Sequence, residues 1–198
     1  MRFFAAGAIL FLVFIAAGNA IQCETCVDLA NKNCYGELVT CAKNVKGCLS
    51  ALSEYSKEGV KPVYTSFKNC SALRTKNAMY RSAIRKSSYQ LKVQVCQKSG
   101  CSKTPLQLPP KNKTLNGVKC PTCNVTGALT CEADGVVQCV GEMTHCIYMA
   151  ATFYRSELPP TETSAYRGCT SAKSKHDYPE DILYRLQSIE TLEISKGV

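Results

Sequence analysis

Residues 23–34 read CETCVDLANKNC, and residues 120–131 read CPTCNVTGALTC. Each stretch begins with a C-x-x-C pair and reaches a third cysteine after seven more residues. A C-x-x-C pair occurs in thiol redox sites, in zinc sites and in structural disulfide frameworks. The cellular compartment and the remaining cysteines decide among these three interpretations.

The N-terminus indicates the compartment. An unbroken apolar run at residues 3–17 follows one basic residue and precedes GNA, which has small residues on both sides of the asparagine. This order is typical of a secretory signal peptide, residues 1–20, cleaved after Ala20. The run is shorter than the roughly 20 residues that span a bilayer, and the C-terminal LEISKGV is not the apolar tail of a glycolipid signal. We therefore predict a secreted, extracellular protein with no membrane anchor.

The cysteine count favours disulfides. The chain has 14 cysteines, an even number, and an oxidising compartment converts such thiols to disulfides. A zinc site would need reduced thiolates, and only His145 and His176 could add imidazole ligands. A redox site would need its C-x-x-C at a helix N-terminus in a βαβ pattern, which we do not find. We predict structural disulfides, no metal and no cofactor.

The cysteines also reveal a duplication. From Cys23 the gaps to the next five cysteines are 2, 7, 6, 6 and 21 residues, and from Cys120 they are 2, 7, 7, 6 and 22. Such recurrence indicates a repeated domain, of which only the first copy adds Cys96 and Cys101. After the signal peptide, the predicted parts are domain 1 at 21–101, a proline-containing linker at 102–119, domain 2 with an incomplete cysteine set at 120–169, and a cysteine-free tail at 170–198.

Apolar residues between the cysteines follow the period of β-strands. Leu91, Val93 and Val95 alternate with polar residues, and a similar alternation follows Cys146. Domains this small bury too little apolar surface to be stable without cross-links. We predict an all-β, disulfide-rich fold of small domains.

The order C-x2-C-x7-C-x6-C-x6-C-x21-C, closed by C-x4-C, resembles the three-finger fold of the lymphocyte-antigen and urokinase-receptor superfamily, which includes the snake neurotoxins. The resemblance covers residues 23–101 and, without the last part, 120–169. It implies tandem three-finger domains, the second one truncated. It also implies seven disulfides: Cys23–Cys48, Cys26–Cys34, Cys41–Cys70 and Cys96–Cys101 in domain 1, and Cys120–Cys146, Cys123–Cys131 and Cys139–Cys169 in domain 2.

Three departures from that family are visible. The usual disulfide of the third finger is missing from both domains, and Ser102 stands where the family commonly has asparagine. No cysteine follows Cys169, so the third finger of domain 2 is either unstapled or absent. In the tail, Pro179 and two acids precede Ile182, Leu186 and Ile189 at helical spacing. This spacing predicts a short C-terminal helix over about 180–194, and the alternative is a terminus without fixed structure.

Charge is unevenly distributed. Between Glu58 and Glu132 there are 73 residues with 13 basic residues and no acid, whereas domain 2 has a net charge of −3. A basic face would attract an acidic protein, a heparin-like glycan or an anionic surface, and the alternative is an ordinary solvated surface. We predict no nucleic-acid partner, because no such module is present. The residues proposed for this basic patch are Lys68, Arg74, Lys76, Arg81, Arg85 and Lys86.

No motif supports catalysis. Neither histidine accompanies a serine or free thiol in a pattern that activates a nucleophile, so we predict no catalytic residue and no enzyme. Asn112 and Asn124 begin N-glycosylation sequons.

Two functions are compatible with the resemblance, and a structural or sperm-surface binding role is a third alternative. Tandem three-finger domains with eight and then six cysteines resemble the sodefrin precursor-like factors, which are amphibian courtship pheromones that act on a receptor. They are also similar to the gamma-type phospholipase A2 inhibitors of serum. In both cases the protein would bind a protein partner, and we predict contacts at the tips of the second fingers, residues 53–62 and 154–163.

Overall fold

A computed structural model describes residues 20–72, 77–154, 161–179 and 186–198. The expected signal peptide before Ala20, together with Arg74, Lys76 and the predicted helix start, lies outside these residues. No helix in the described ranges is long and apolar enough to span a membrane. The described strands are β1 Gln22–Asp28, β2 Glu37–Thr40, β3 Gly47–Lys57, β4 Val63–Ser71, β5 Asn77–Ile84, β6 Ser87–Cys96, β7 Leu115–Thr126, β8 Gly135–Val140, β9 His145–Tyr154, β10 Thr161–Thr170 and β11 Leu186–Lys196.

The predicted all-β fold is confirmed, since every strand pair is antiparallel and the described helices are short 3-10 turns. In domain 1, three hairpins form the fingers: β1–β2, β3–β4 and β5–β6. Strand β3 lies at the centre, paired with β4 on one side and β6 on the other. Strand β1 pairs with β2 through its first half and with β4 through its second half, which places β2 at the edge of the sheet.

Domain 2 repeats this arrangement with β7–β8 as finger one and β9–β10 as finger two. Strand β11 pairs with β9 on the side that corresponds to β6 on β3. Of the two alternatives for the third finger, the structure therefore shows one strand of an unstapled finger, the inner strand that corresponds to β6. No counterpart of β5 occurs in the described part of the tail, where residues 171–179 form a loop with a short 3-10 turn.

The predicted C-terminal helix is wrong where the structure describes it, because Leu186–Lys196 is the strand β11. Its pairing with β9 has two register shifts, between Leu186 and Ser188 and between Ile189 and Thr191. Each bulge inserts one residue, so side chains on one face recur after three residues instead of two. A bulged strand thereby reproduces the spacing that is typical of a helix.

Seven disulfides hold the two domains, and no cysteine is free. Their sulfur atoms form compact groups: Cys139 Sγ lies 3.5 Å from Cys120 Sγ, and both cysteines are fully buried with Cys169. The disulfides thus form part of the core of each domain. The pairs are the same seven that the resemblance implies: Cys23–Cys48, Cys26–Cys34, Cys41–Cys70, Cys96–Cys101, Cys120–Cys146, Cys123–Cys131 and Cys139–Cys169.

Removing two disulfides of domain 2 should have unequal effects. The bond Cys139–Cys169 spans 30 residues and Cys123–Cys131 spans 8, so the longer loop restricts the unfolded chain more. We expect replacement of the first pair by alanine to cost about 3–4 kcal/mol and of the second about 2–3 kcal/mol. Guanidinium unfolding of the two double variants measures both costs, and the reverse order would contradict the expectation.

The two domains share one apolar core. Alternate residues of β3, β5 and β6 and of β9 and β11 present apolar faces that meet in a single cluster. The sheet itself continues between the domains where Cys169 and Thr170 of β10 pair with Ala83 and Ser82 of β5. A Cβ at Gly168 would clash with the Ala83 carbonyl oxygen, so this close approach requires glycine. The buried members of the cluster are Leu49, Ala51, Tyr80, Leu91, Val93, Val95, Ile147, Met149, Ala151, Ala172, Tyr178 and Leu192.

Candidate protein-binding surface

The four described residues of the proposed basic patch are all paired with acids, and the prediction of Lys68 as part of an exposed patch is wrong. Lys68 is 3 % exposed and Glu24 is 5 % exposed. Lys68 Nζ lies 2.8 Å from Glu24 Oε2, and Glu24 Oε1 accepts a hydrogen bond from the Gly36 backbone N–H. A buried charge of this kind serves packing and specificity inside domain 1 and is not available to a partner.

The Glu24 carboxylate remains ionised despite its burial. Burial by itself raises the pKa of Glu24. The hydrogen bonds from Lys68 and Gly36 and the charges of Lys68 and Lys103 together lower it by more, so the pKa lies below its ordinary value. The carboxylate in turn holds the Lys68 ammonium in position. The pair therefore connects β1 to β4 across the base of finger one.

Two other patch residues join the domains. Arg81 on β5 forms a salt bridge with Glu142, and Arg85 Nη2 lies 2.8 Å from Asp134 Oδ1. Both acids belong to domain 2, so its negative charge neutralises part of the positive charge of domain 1. Arg81 Nη2 also donates to the Pro110 carbonyl oxygen of the linker. The uneven charge along the sequence is in part an internal complementarity.

Lys86, the last described patch residue, and two lysines at the linker also have partners within the protein. Lys86 Nζ lies 3.3 Å from Glu58 Oε2 in an exposed pair. Lys111 of the linker contacts Glu54 Oε1 at 2.6 Å, and Lys92 Nζ donates to the Gln107 carbonyl oxygen. The linker therefore lies along one face of the domain 1 sheet, opposite the face that packs on domain 2.

The tip of finger two remains the strongest contact candidate. Tyr55 and Val63 are directly opposite each other on β3 and β4, with Val60 in the connecting turn. Tyr55, Val63 and Val60 are exposed by 43 %, 49 % and 57 %, in that order, so three large apolar side chains share one exposed end of the hairpin. Gly59 allows the turn through its positive φ of 73°. We call Tyr55, Val60 and Val63, with the exposed Lys57 and Lys61, the domain 1 tip.

The corresponding tip of domain 2 is only partly described. Tyr154 at the end of β9 is exposed, and residues 155–160 of the predicted contact loop lie outside the described ranges. Thr161 pairs with Tyr154 as the first residue of β10. A second exposed aromatic residue thus occupies the position in domain 2 that corresponds to the first tip.

Sequence reasoning missed the apolar surface of finger one. All four residues of β2 are exposed, including Leu38 and Val39, and Tyr35 before it is almost fully exposed. Unpaired backbone groups on an edge strand are available to another chain. The only signal in the sequence was the short run ELVT, whose exposure depends on the fact that no strand pairs with its outer side in the described residues.

Both sequon asparagines are exposed. Asn112 lies in the linker, where its Oδ1 accepts a hydrogen bond from the Thr114 backbone N–H. Asn124 lies on β7, opposite Tyr166 of β10. Glycosylation at both positions stays a prediction.

Two three-finger domains held by disulfides, the first with an exposed apolar tip, define a disulfide-rich binding protein. The u-PAR/Ly-6 domain family matches residues 19–104 and 116–188, and the chain belongs to this family. The predicted superfamily is therefore confirmed.

Individual relatives cover most of the chain. A gamma subunit of the phospholipase A2 inhibitor of Elaphe climacophora is 28 % identical over 168 residues, which are 82 % of this chain and 80 % of that protein. The corresponding inhibitor protein of Elaphe quadrivirgata matches equally. Among solved structures, mouse TEX101 matches with a TM-score of 0.42 and 16 % identity, covering 88 % of this chain and 99 % of TEX101.

Proposed function

We propose that this protein is a secreted, non-enzymatic signalling protein of the pheromone type, which acts when a receptor binds its domain 1 tip. The observation that carries the proposal is the exposure of three apolar residues, Tyr55, Val60 and Val63, at the end of a rigid hairpin. Exposure of such an apolar cluster to water is unfavourable in free energy unless a partner covers it. The count of eight and then six cysteines supports the pheromone type, as the resemblance implies.

The chemistry of the domain 1 tip indicates the kind of receptor surface. Lys57 and Lys61 flank the apolar residues and are exposed, whereas Glu58 is already paired with Lys86. A complementary site would have an apolar pocket with acidic groups at its rim. An acidic glycan or anionic surface is a less suitable partner, because Lys68 is buried and Arg81 and Arg85 are already paired with acids of domain 2.

A direct inhibitor of phospholipase A2 is the second candidate function. It is favoured by the similarity to the two snake phospholipase A2 inhibitor proteins, which extends over 82 % of this chain. The same domain 1 tip would then contact the enzyme, so the two candidates differ in the partner and not in the surface.

A receptor assay tests the first candidate. The oxidised full-length mature chain is applied to chemosensory neurons of the source animal, and calcium imaging gives the concentration for a half-maximal response. We expect the double variant Val60→Ser/Val63→Ser to raise this concentration about tenfold or more, because two apolar contacts are lost. The matched control Val125→Ser/Val136→Ser changes two exposed valines of domain 2 and should leave the response unchanged.

An enzyme assay separates the candidates. The mature chain is titrated into a purified acidic secretory phospholipase A2 while hydrolysis is followed. Inhibition at near-stoichiometric ratios, together with expression of the transcript in liver, would overturn the pheromone proposal. Expression in a courtship gland without phospholipase inhibition would overturn the inhibitor candidate.

A further inference from the structure

A cavity of about 310 Å³ lies between the apolar faces of the two domains. Domain 1 contributes Tyr55, Tyr80 and Tyr89 to its wall, and domain 2 contributes Tyr166 and Tyr178. No charged side chain from the described residues lines it. An ion would therefore lose its hydration without gaining an opposite charge, so the interior suits a neutral molecule.

Ring contacts and a hydrogen bond join the tyrosines of the wall. The rings of Tyr80 and Tyr178 meet edge to face with centroids 5.4 Å apart, and the Tyr80 and Tyr89 centroids are 6.2 Å apart. Tyr178 Oη donates a hydrogen bond to Met149 Sδ. Burial raises the pKa of Tyr80, and it also raises that of Tyr166, although nearby hydroxyl groups lower the pKa of Tyr80 in part. These phenols are therefore neutral hydrogen-bond donors at physiological pH.

One polar atom in the wall, Tyr80 Oη, lies near the hydroxyl groups of Ser82, Thr170 and Tyr166 but forms no hydrogen bond of normal geometry. Tyr80 is 4 % exposed, and no described group meets hydrogen-bond geometry with its Oη. Leaving such a hydroxyl unsatisfied costs stability. An acceptor oxygen placed in the cavity would remove this cost. The exposed Asn124 and the neighbouring Thr126 lie at the rim, which gives access from solvent.

We propose that this interdomain cavity binds a small neutral molecule with a mainly apolar body and one oxygen that accepts a hydrogen bond from Tyr80 Oη. The volume is about twice that of a cavity of roughly 150 Å³ that holds benzene, so a phenol, alcohol or ketone of roughly a dozen non-hydrogen atoms fits. The site is independent of the domain 1 tip, apart from Tyr55 at its outer end. It does not depend on which protein partner the chain binds.

Two probes that differ by one oxygen test the proposal. Binding of 2-naphthol and of naphthalene to the oxidised full-length mature chain is followed by probe fluorescence, which no protein indole obscures because the chain has no tryptophan. We expect saturable binding of 2-naphthol with one site. Tyr80→Phe should weaken 2-naphthol about five- to tenfold and change naphthalene by less than about twofold, because only the donor is removed.

A variant that fills the cavity gives the second arm. Ser164 lines the cavity, so Ser164→Phe should weaken both probes at least about tenfold. Thr161→Phe, on the same strand outside the lining, is the matched control and should keep both affinities. Absence of saturable binding to the unmodified chain would overturn the proposal. Equal weakening of both probes by Tyr80→Phe, or retained binding in Ser164→Phe, would also overturn it.

Discussion

A chain that ends at residue 185 should lose the folded structure of domain 2. Strand β11 forms nine pairs with β9, and its Leu192 is buried against Met149 in the shared core. Without β11, one side of β9 would expose its backbone groups, and Met149 and Ile147 would lose their cover. We expect amide hydrogen exchange in β9 to rise by orders of magnitude, while β3 of domain 1 keeps most of its protection.

Two neighbouring substitutions in the full-length chain distinguish the effect of lost packing by β11 from the effect of a shorter chain. Leu192→Ala removes a buried side chain and should cost about 2–4 kcal/mol in the free energy of unfolding. Glu193→Ala changes an exposed side chain on the opposite face and should change it by less than about 0.5 kcal/mol. If β9 in the truncated chain were as protected as in the full-length chain, β11 would have no structural role.

Lys68→Met should destabilise domain 1 by about 3–5 kcal/mol at neutral pH. The substitution leaves the Glu24 carboxylate buried with the Gly36 N–H but without its cation. The double variant Glu24→Gln/Lys68→Met should recover much of the loss, because the glutamine oxygen still accepts the Gly36 N–H and no charge is buried. Urea unfolding at pH 7 measures both, and an equal loss in the two variants would contradict an electrostatic cause.

The contribution of Glu24 to stability should depend on pH with opposite signs in the unmodified chain and in Lys68→Met. In the unmodified chain the pKa of Glu24 is lowered, so the stability from this group is present above its unfolded pKa and is lost as pH falls through the folded pKa. In Lys68→Met the pKa of Glu24 should be raised by burial, so protonation relieves the buried charge. We therefore expect the difference in unfolding free energy between the two proteins to narrow as pH falls from 7 to 3.

The fold class followed from the sequence more completely than the site did. The repeated cysteine spacings identified the duplication and, through the family resemblance, the three-finger fold. The helix predicted for the tail failed because two bulges in β11 displaced Leu186 and Ile189 from the ordinary strand period. Whether a strand has bulges depends on its pairing with a partner strand, which here is β9. The spacing of apolar residues along the tail carries no information about that pairing.

The prediction of Lys68 as part of an exposed basic patch is wrong for a related reason. Lys68 is buried only because Glu24, 44 residues earlier, reaches it across the base of finger one. Arg81 and Arg85 are engaged because domain 2 places Glu142 and Asp134 beside them. The net charge of a segment counts cations, but whether a cation faces solvent depends on acids that are distant in the chain.

Local spacing alone was sufficient for the duplication and the all-β class, because cysteine positions and alternating apolar residues are properties of short segments. The packing of the two domains required the tertiary structure. The continuation of the sheet from β10 to β5, the shared apolar core and the tyrosine-lined cavity all arise where residues that are distant in the chain meet. Such contacts depend on how the shapes of both faces fit together, and the sequence of one face does not specify the shape of the other.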